Sequence, residues 1–206
     1  MKRKSSEIRQ QEIIQATMRI IAKDGIQNLT MAKLAKQIGI TDGALYKHFT
    51  SKKEILLAMV KEVQTSFSMF MTPQMEGSDD PIKKLRAFLR LHLEFLEQHK
   101  EVSRILFSEA IHVGDEDVKH LMHSGVSNYL DFIRGILYRA VQDGRVRQDL
   151  DIDAAATAFL GLIQGNLMVW SLSDFSFSLA ARHTALWKVF AEGLWASPMM
   201  RVQETP

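Results

Sequence analysis

Between Met31 and Thr50 the chain reads MAKLAKQIGITDGALYKHFT, and few folds can accommodate that stretch. Two short helical patterns are separated by little more than Gly39 and Ile40. Thr30 is placed to cap the first and Thr41 the second. Gly39 stands where the turn needs a positive φ. Ala35 is small enough for the two helices to cross closely, while Leu34, Ile38, Ile40 and Leu45 supply an apolar side. Helices this short do not hold themselves in water. They must pack on a neighbour, and the spacing is that of a helix-turn-helix.

The helical period runs through nearly the whole chain. Ile8, Ile13, Ile14, Ala16, Thr17, Ile20 and Ile21 share one face of a first helix that Gly25 ends. Leu34, Ala35 and Ile38 face inward on the second, and the third spans about 42–48. Ser51 and Glu54 form a capping-box pattern that opens a fourth helix, to about Met71. TPQMEGSDDP reads as a linker, with Asp80-Pro81 as cap and first residue of the next helix. Further helices are expected at about 81–97, 101–112, 115–142, 152–171 and 177–196. With no useful strand alternation or repeat, about nine helices imply an all-α fold.

Charge divides unevenly. Residues 1–61 hold 12 Lys or Arg against 5 Asp or Glu, and residues 62–206 hold 14 against 19, so a +7 segment precedes a −5 body. That asymmetry suits a nucleic-acid-binding head. The absence of cysteine excludes disulfides, thiolate metal sites and a cysteine nucleophile, and fits a reducing cytoplasm. The N-terminus lacks a signal-peptide apolar run. The most apolar part, 154–172, carries Gln164 and Asn166, so no membrane span is expected and a cytoplasmic location is.

DNA explains the oddities of the third helix. Gly43 and Ala44 let the backbone approach base edges, Tyr46 and His48 can reach phosphates, and Lys47 can reach a phosphate or a guanine edge. Asp42 can accept from a cytosine amino group or cap its own helix. Lys52 sits badly at a helix start, where the macrodipole disfavours it, yet suits a phosphate. The candidate DNA-contacting set is therefore Thr30, Thr41, Asp42, Gly43, Ala44, Tyr46, Lys47, His48 and Lys52.

GIQNLTMAKLAKQIGITDGALYKHFTSKKEIL resembles the N-terminal domain of TetR-type transcriptional regulators. The matching positions are Gly25, Thr30, Gly43, Leu45, Tyr46, His48, Phe49, Ser51, Lys52 and Glu54. The resemblance implies a two-fold dimer with a DNA-binding head at 1–50, a connecting helix at 51–72, and a helical ligand-binding and dimerisation domain at 73–206. Its partners would be a pseudo-palindromic double-stranded operator, a second copy, and a small effector. The last two long helices would form the dimer interface. Independently of the resemblance, Ala154, Ala158, Gly161 and Gly165 recur at helical spacing, and the last helix carries Leu186, Trp187, Val189, Phe190, Gly193 and Leu194. Ala154, Ala158, Gly161, Gly165, Trp187, Phe190 and Leu194 are the candidate dimer residues, with packing inside one protomer as the alternative.

For an effector, Phe88, Leu91, Phe95, Ile105, Phe107, Phe132, Ile133, Phe159 and Met168 can line a cavity or fill a closed core. The candidate ligand-binding set is Phe88, His92, Phe95, Tyr129, Phe132, Gln164 and Met168. Its polar members, with Asn166, would orient a hydrophobic or aromatic molecule or serve as satisfied buried groups. His112, Asp115, Asp117, His120 and His123 are of metal-ligand type, with two His three apart on one helix, a spacing common by chance; neither a metal nor a cofactor is expected. No nucleophile–base pair or phosphate loop stands out, so an enzyme is disfavoured. A DNA-bound structural or cell-division adaptor of the same fold remains the alternative to a ligand-responsive repressor.

Overall fold

The computed structural model describes residues 6–75, 79–106 and 115–194. Among them are nine α-helices: α1 (Ser6–Asp24), α2 (Met31–Ile38), α3 (Asp42–Tyr46), α4 (Lys52–Met75), α5 (Pro81–Gln98), α6 (Lys100–Leu106), α7 (Glu116–Gln142), α8 (Ile152–Leu172) and α9 (His183–Leu194). No strand occurs among the described residues. The chain forms two compact units, residues 1–70 with 98–127, and residues 71–97 with 128–206. The head thus packs in one unit with α6 and the first turns of α7.

In the first unit, Ile13, Ile14, Ala16, Thr17, Ile20 and Ile21 of α1 are buried, with Leu34, Ala35, Leu45 and Phe49. Ile8 is instead exposed, because it lies a full turn before the packed part of α1. Ile38 is half-buried. Thr30 Oγ1 accepts from Lys33 N at 3.1 Å, which caps α2. Gly39 ends α2 in the left-handed region at φ 70°, with Ile40 N bonded back to Ala35 O at 3.0 Å. Those caps start α2 at Met31 and end it at Gly39, where the sequence predicts.

Three boundaries differ. α3 stops at Tyr46, because Lys47 is its C-cap and Phe49 turns inward to the core. α4 runs through Thr72 and Pro73 to Met75, beyond the expected end at 71. A proline in the last turn removes one hydrogen bond without forcing an earlier stop. The last helix begins at His183 rather than 177. The segment before it is held otherwise: Asp174 and Phe175 have positive φ, Trp170 Nε1 donates to Phe177 O at 2.6 Å, and Glu97 accepts from Leu179 N and Ala180 N. The sixth helix is described only to Leu106, and Phe107 and His112 lie outside the described residues.

In the second unit, Leu85, Phe88, Leu89, Leu91, Leu93 and Phe95 of α5 are buried, as are Ile133, Leu137, Phe159, Ile163, Leu167, Trp170 and Leu186, and the Phe88 ring lies 6.2 Å from Phe159. Asp80 Oδ1 accepts from Ile82 N and Lys83 N, which caps α5 as expected. By length and composition alone α8 is long and apolar enough to cross a membrane, a test that the core helix of a soluble protein also passes. Its inward face is Ala155, Ala156, Phe159, Ile163, Leu167 and Trp170. Its other face is considered below.

Candidate nucleic-acid interface and effector site

The recognition surface is built on a helix of five residues. Thr41 Oγ1 caps it by accepting from Ala44 N at 3.2 Å, and Leu45 is fully buried beneath it. The cap bond belongs to Thr41, so Asp42 is an acid in the first turn, where the dipole favours it, and not the capping group. Thr41, Asp42, Gly43, Tyr46 and Lys47 are exposed together, Tyr46 at 49%. Ala44 is half-buried. A Cβ built on Gly43 meets nothing within 4 Å. The fold therefore does not require glycine there. Thr30 is exposed at the start of α2.

His48 and Lys52 are more committed to the protein than the sequence suggested. His48 is half-buried, its Nδ1 lies 3.3 Å from Ser6 Oγ, and its carbonyl accepts from Gln10 Nε2. Lys52 Nζ donates to Ile26 O at 3.0 Å. That bond holds the ammonium against the turn after α1, which answers why a lysine sits at this helix start. An ammonium has three donors, so a phosphate can share it. The helix start itself is capped by Ser51 Oγ, which accepts from Glu54 N at 3.2 Å. Glu54 reaches back to Thr50, accepting from its N and its Oγ1.

Lys53 is tied elsewhere. Its Nζ pairs with Asp117 and, at 3.1 Å, with Asp115, joining the first turn of α4 to the first turn of α7. The hydrogen bonds to Asp117 and Asp115 raise the Lys53 pKa, and Lys53 lowers that of Asp115. These carboxylates, weighed above as metal ligands, thus hold a lysine, and His120 lies 3.7 Å from Glu116. No group of three His, Asp or Glu among the described residues is placed to hold a metal ion.

In the second unit, Phe88 is the centre of an aromatic cluster. Its ring lies 5.4 Å from Tyr129, 5.0 Å from Phe132, 6.1 Å from His92 and 6.2 Å from Phe159. His92 Nδ1 and Tyr129 OH are 3.2 Å apart inside it. Burial lowers the His92 pKa to about 3 and pushes the Tyr129 phenol well above its ordinary value. Both groups are therefore neutral at pH 7. Phe95 is buried beside them on α5.

Other members of the expected effector set lie elsewhere. Phe132 touches Phe88 but is 40% exposed, at the rim of the cluster. Met168 is 49% exposed and shares the outward face of α8 with Gly161 and Gly165, because it follows Gly161 by seven residues. Gln164 is half-buried on the flank between the two faces, and Asn166 Nδ2 donates to Leu162 O of its own helix. Ile105 belongs to the first unit.

The outward face of α8 carries Ala154, Ala158, Gly161, Gly165, Met168, Val169 and Leu172, the last 79% exposed. Cβ atoms at Gly161 and Gly165 meet nothing within the protomer. On α9 the expectation needs correcting. Trp187 and Leu194 are buried in their own protomer, and Phe190 packs its ring 5.1 Å from Phe159. The exposed side of α9 is one step around, at Ala185, Lys188, Val189, Glu192 and Gly193. The bulky residues satisfy the protomer's core first, so their size misdirected the sequence reading. Val189, which is 66% exposed, is apolar but five residues before the buried Leu194, and so on a different side of the helix from it.

Comparison with known proteins agrees with this architecture. The model of bacterial regulatory proteins of the tetR family matches residues 13–59, and that of the tetracyclin repressor-like C-terminal domain matches 78–170. The fatty acid metabolism regulator protein of Bacillus subtilis is 25% identical over 183 residues, covering 89% of this chain and 94% of that protein. The nucleoid occlusion factor SlmA of Vibrio cholerae is 26% identical over 185 residues, covering 89% and 94%. Among solved structures, FadR from Bacillus subtilis in complex with stearoyl-CoA superposes with a TM-score of 0.80 at 23% identity, covering 89% of this chain and 98% of that one. FadR from Bacillus halodurans gives a TM-score of 0.82 at 21% identity, covering 94% and 98%. Both share the fold. With a capped helix-turn-helix at its head and both family models matched in order along it, the chain belongs to the tetR family of DNA-binding transcriptional regulators.

Proposed function

We propose that the protein is a homodimeric repressor that binds a pseudo-palindromic operator and releases it on binding a long-chain acyl-CoA. The observation that carries the DNA reading is the exposed face of α3, whose Gly43 has open space around it. Thr41, Asp42, Gly43, Ala44, Tyr46 and Lys47 are assigned to the major groove, with Thr30, His48 and Lys52 at the flanking phosphates. The small-residue face of α8 and the Val189 side of α9 are assigned to the second copy. That arrangement sets half-sites about one helical turn, roughly 34 Å, or a multiple of it apart.

The effector assignment is supported by the aromatic cluster around Phe88 with its one buried polar pair, and by the stearoyl-CoA in the FadR structure of similar fold. Release requires the effector to favour a conformation that DNA does not. α4 runs from the head, at Lys52, to Met75 and is assigned as the element that shifts. The test is an operator titration with and without stearoyl-CoA. A loss of operator affinity of about 5–150-fold, the usual allosteric range, is expected. The similarity to the nucleoid occlusion factor supports a second reading, a DNA-bound adaptor without an effector. Tight operator binding that stearoyl-CoA leaves unchanged would favour it.

A further inference from the structure

The turn where α1 ends receives a cation from each of three helices. Arg104 Nη1 of α6 donates to Ala22 O at 2.9 Å. Lys33 Nζ of α2 pairs with Asp24 at 2.8 Å. Lys52 Nζ of α4 donates to Ile26 O at 3.0 Å. The last carbonyls of a helix lack partners within it and form its negative pole. Arg104, 82 residues from Ala22, supplies one such partner, while Lys33 holds the Asp24 carboxylate and Lys52 the Ile26 carbonyl just beyond the helix end. Gly25, at φ 80°, lets the chain turn sharply between the three attachment points.

We propose that this turn is the junction through which α6 fixes the helix-turn-helix, and that Arg104 is a positioning residue for DNA recognition that does not itself touch DNA. The proposal rests on the DNA-binding reading above. Arg104 holds the end of α1, Asp24 at that end holds Lys33, and Lys33 lies in the first turns of α2, whose Gly39 turn leads into α3. Losing Arg104 returns the Ala22 carbonyl to water and loosens the anchor of Lys33. The apolar contact of α6 with α1 remains, because Val102 and Ile105 stay buried.

The test uses the full chain with Arg104→Ala and Arg104→Lys. Hydrogen exchange is followed by mass spectrometry without DNA, and operator affinity is measured over a salt series. In Arg104→Ala, exchange in residues 26–46 rises about three- to tenfold, the loss of one charged hydrogen bond discounted for exposure. Operator affinity falls by a similar factor while the salt slope stays unchanged. Lysine, which can still donate to the Ala22 carbonyl, restores most of both. Faster exchange confined to residues 100–106 with unchanged operator affinity would overturn the proposal. So would a salt slope smaller by about 0.9, which would make Arg104 a phosphate ligand. If the wild type binds no operator, the DNA-binding reading fails by itself, and the exchange experiment still decides whether Arg104 holds the helix-turn-helix.

Discussion

Gly43→Ala separates the demands of the fold from those of DNA. Gly43 is the second residue of α3, has no positive φ, and has nothing within 4 Å of where a Cβ would lie. Inside a helix, alanine is worth about 0.5–1 kcal/mol over glycine. In the first turn of a five-residue helix the gain is smaller, so the melting temperature should hold or rise slightly. On the DNA side the added methyl enters a close-packed contact. Overpacking costs about 1–3 kcal/mol, or roughly 5–150-fold in affinity. No charge changes, so the salt slope should not. Thermal melting and operator titration by fluorescence anisotropy measure the two sides independently. A lowered melting temperature would show that the fold needs glycine at 43. Undiminished operator affinity would show that this face does not approach the bases, and the assignment of α3 to the major groove would fall.

Lys47→Ala should weaken operator binding and reduce the salt slope by about one if it holds a phosphate, or leave the slope and relax base preference at one position if it reads guanine. Gly161→Leu and Val189→Glu should leave the melted fraction of secondary structure unchanged at low protein concentration but shift light-scattering mass toward the monomer, since both positions face away from the protomer; a dimer undisturbed by both would refute the assigned interface. Ser103→Ala should stabilise the protein by about 1 kcal/mol, because Ser103 Oγ is buried with no hydrogen-bond partner among the described residues, and a destabilised variant in denaturant melts would contradict this. His92 has its pKa lowered to about 3 in the folded state against about 6.5 unfolded, so the unfolded chain binds the extra proton in that window and stability falls as pH drops from 6.5 toward 3. His92→Gln should flatten that part of the stability profile, and an unchanged profile would refute the burial argument.

The head was legible because each of its constraints is local. Thr30, Gly39 and Thr41 announce their caps in neighbouring residues, and the structure uses all three as such. What the sequence could not show was partnership at a distance. Lys52 and Lys53 look alike in the sequence, yet one meets a carbonyl 26 residues back and the other meets the carboxylates of Asp115 and Asp117 at the start of α7. Trp187 and Val189 are both apolar on one amphipathic helix, and the sequence favoured the larger residue as the interface. The core claims large side chains first, which leaves the smaller residue outside. The expected start of α9 at 177 failed for a similar reason: Glu97, about eighty residues earlier, supplies the competing hydrogen bonds.

The brevity of α3 bears on how such proteins change over time. A recognition helix of five residues draws its stability from one buried leucine and one threonine cap. Asp42, Gly43, Tyr46 and Lys47 can then be replaced with little effect on whether the chain folds. With α3 assigned to the major groove, operator preference and foldability would be under nearly separate selection. Under that assignment such a head would acquire a new target sequence by a few outward substitutions, while the caps and Leu45 keep the scaffold constant.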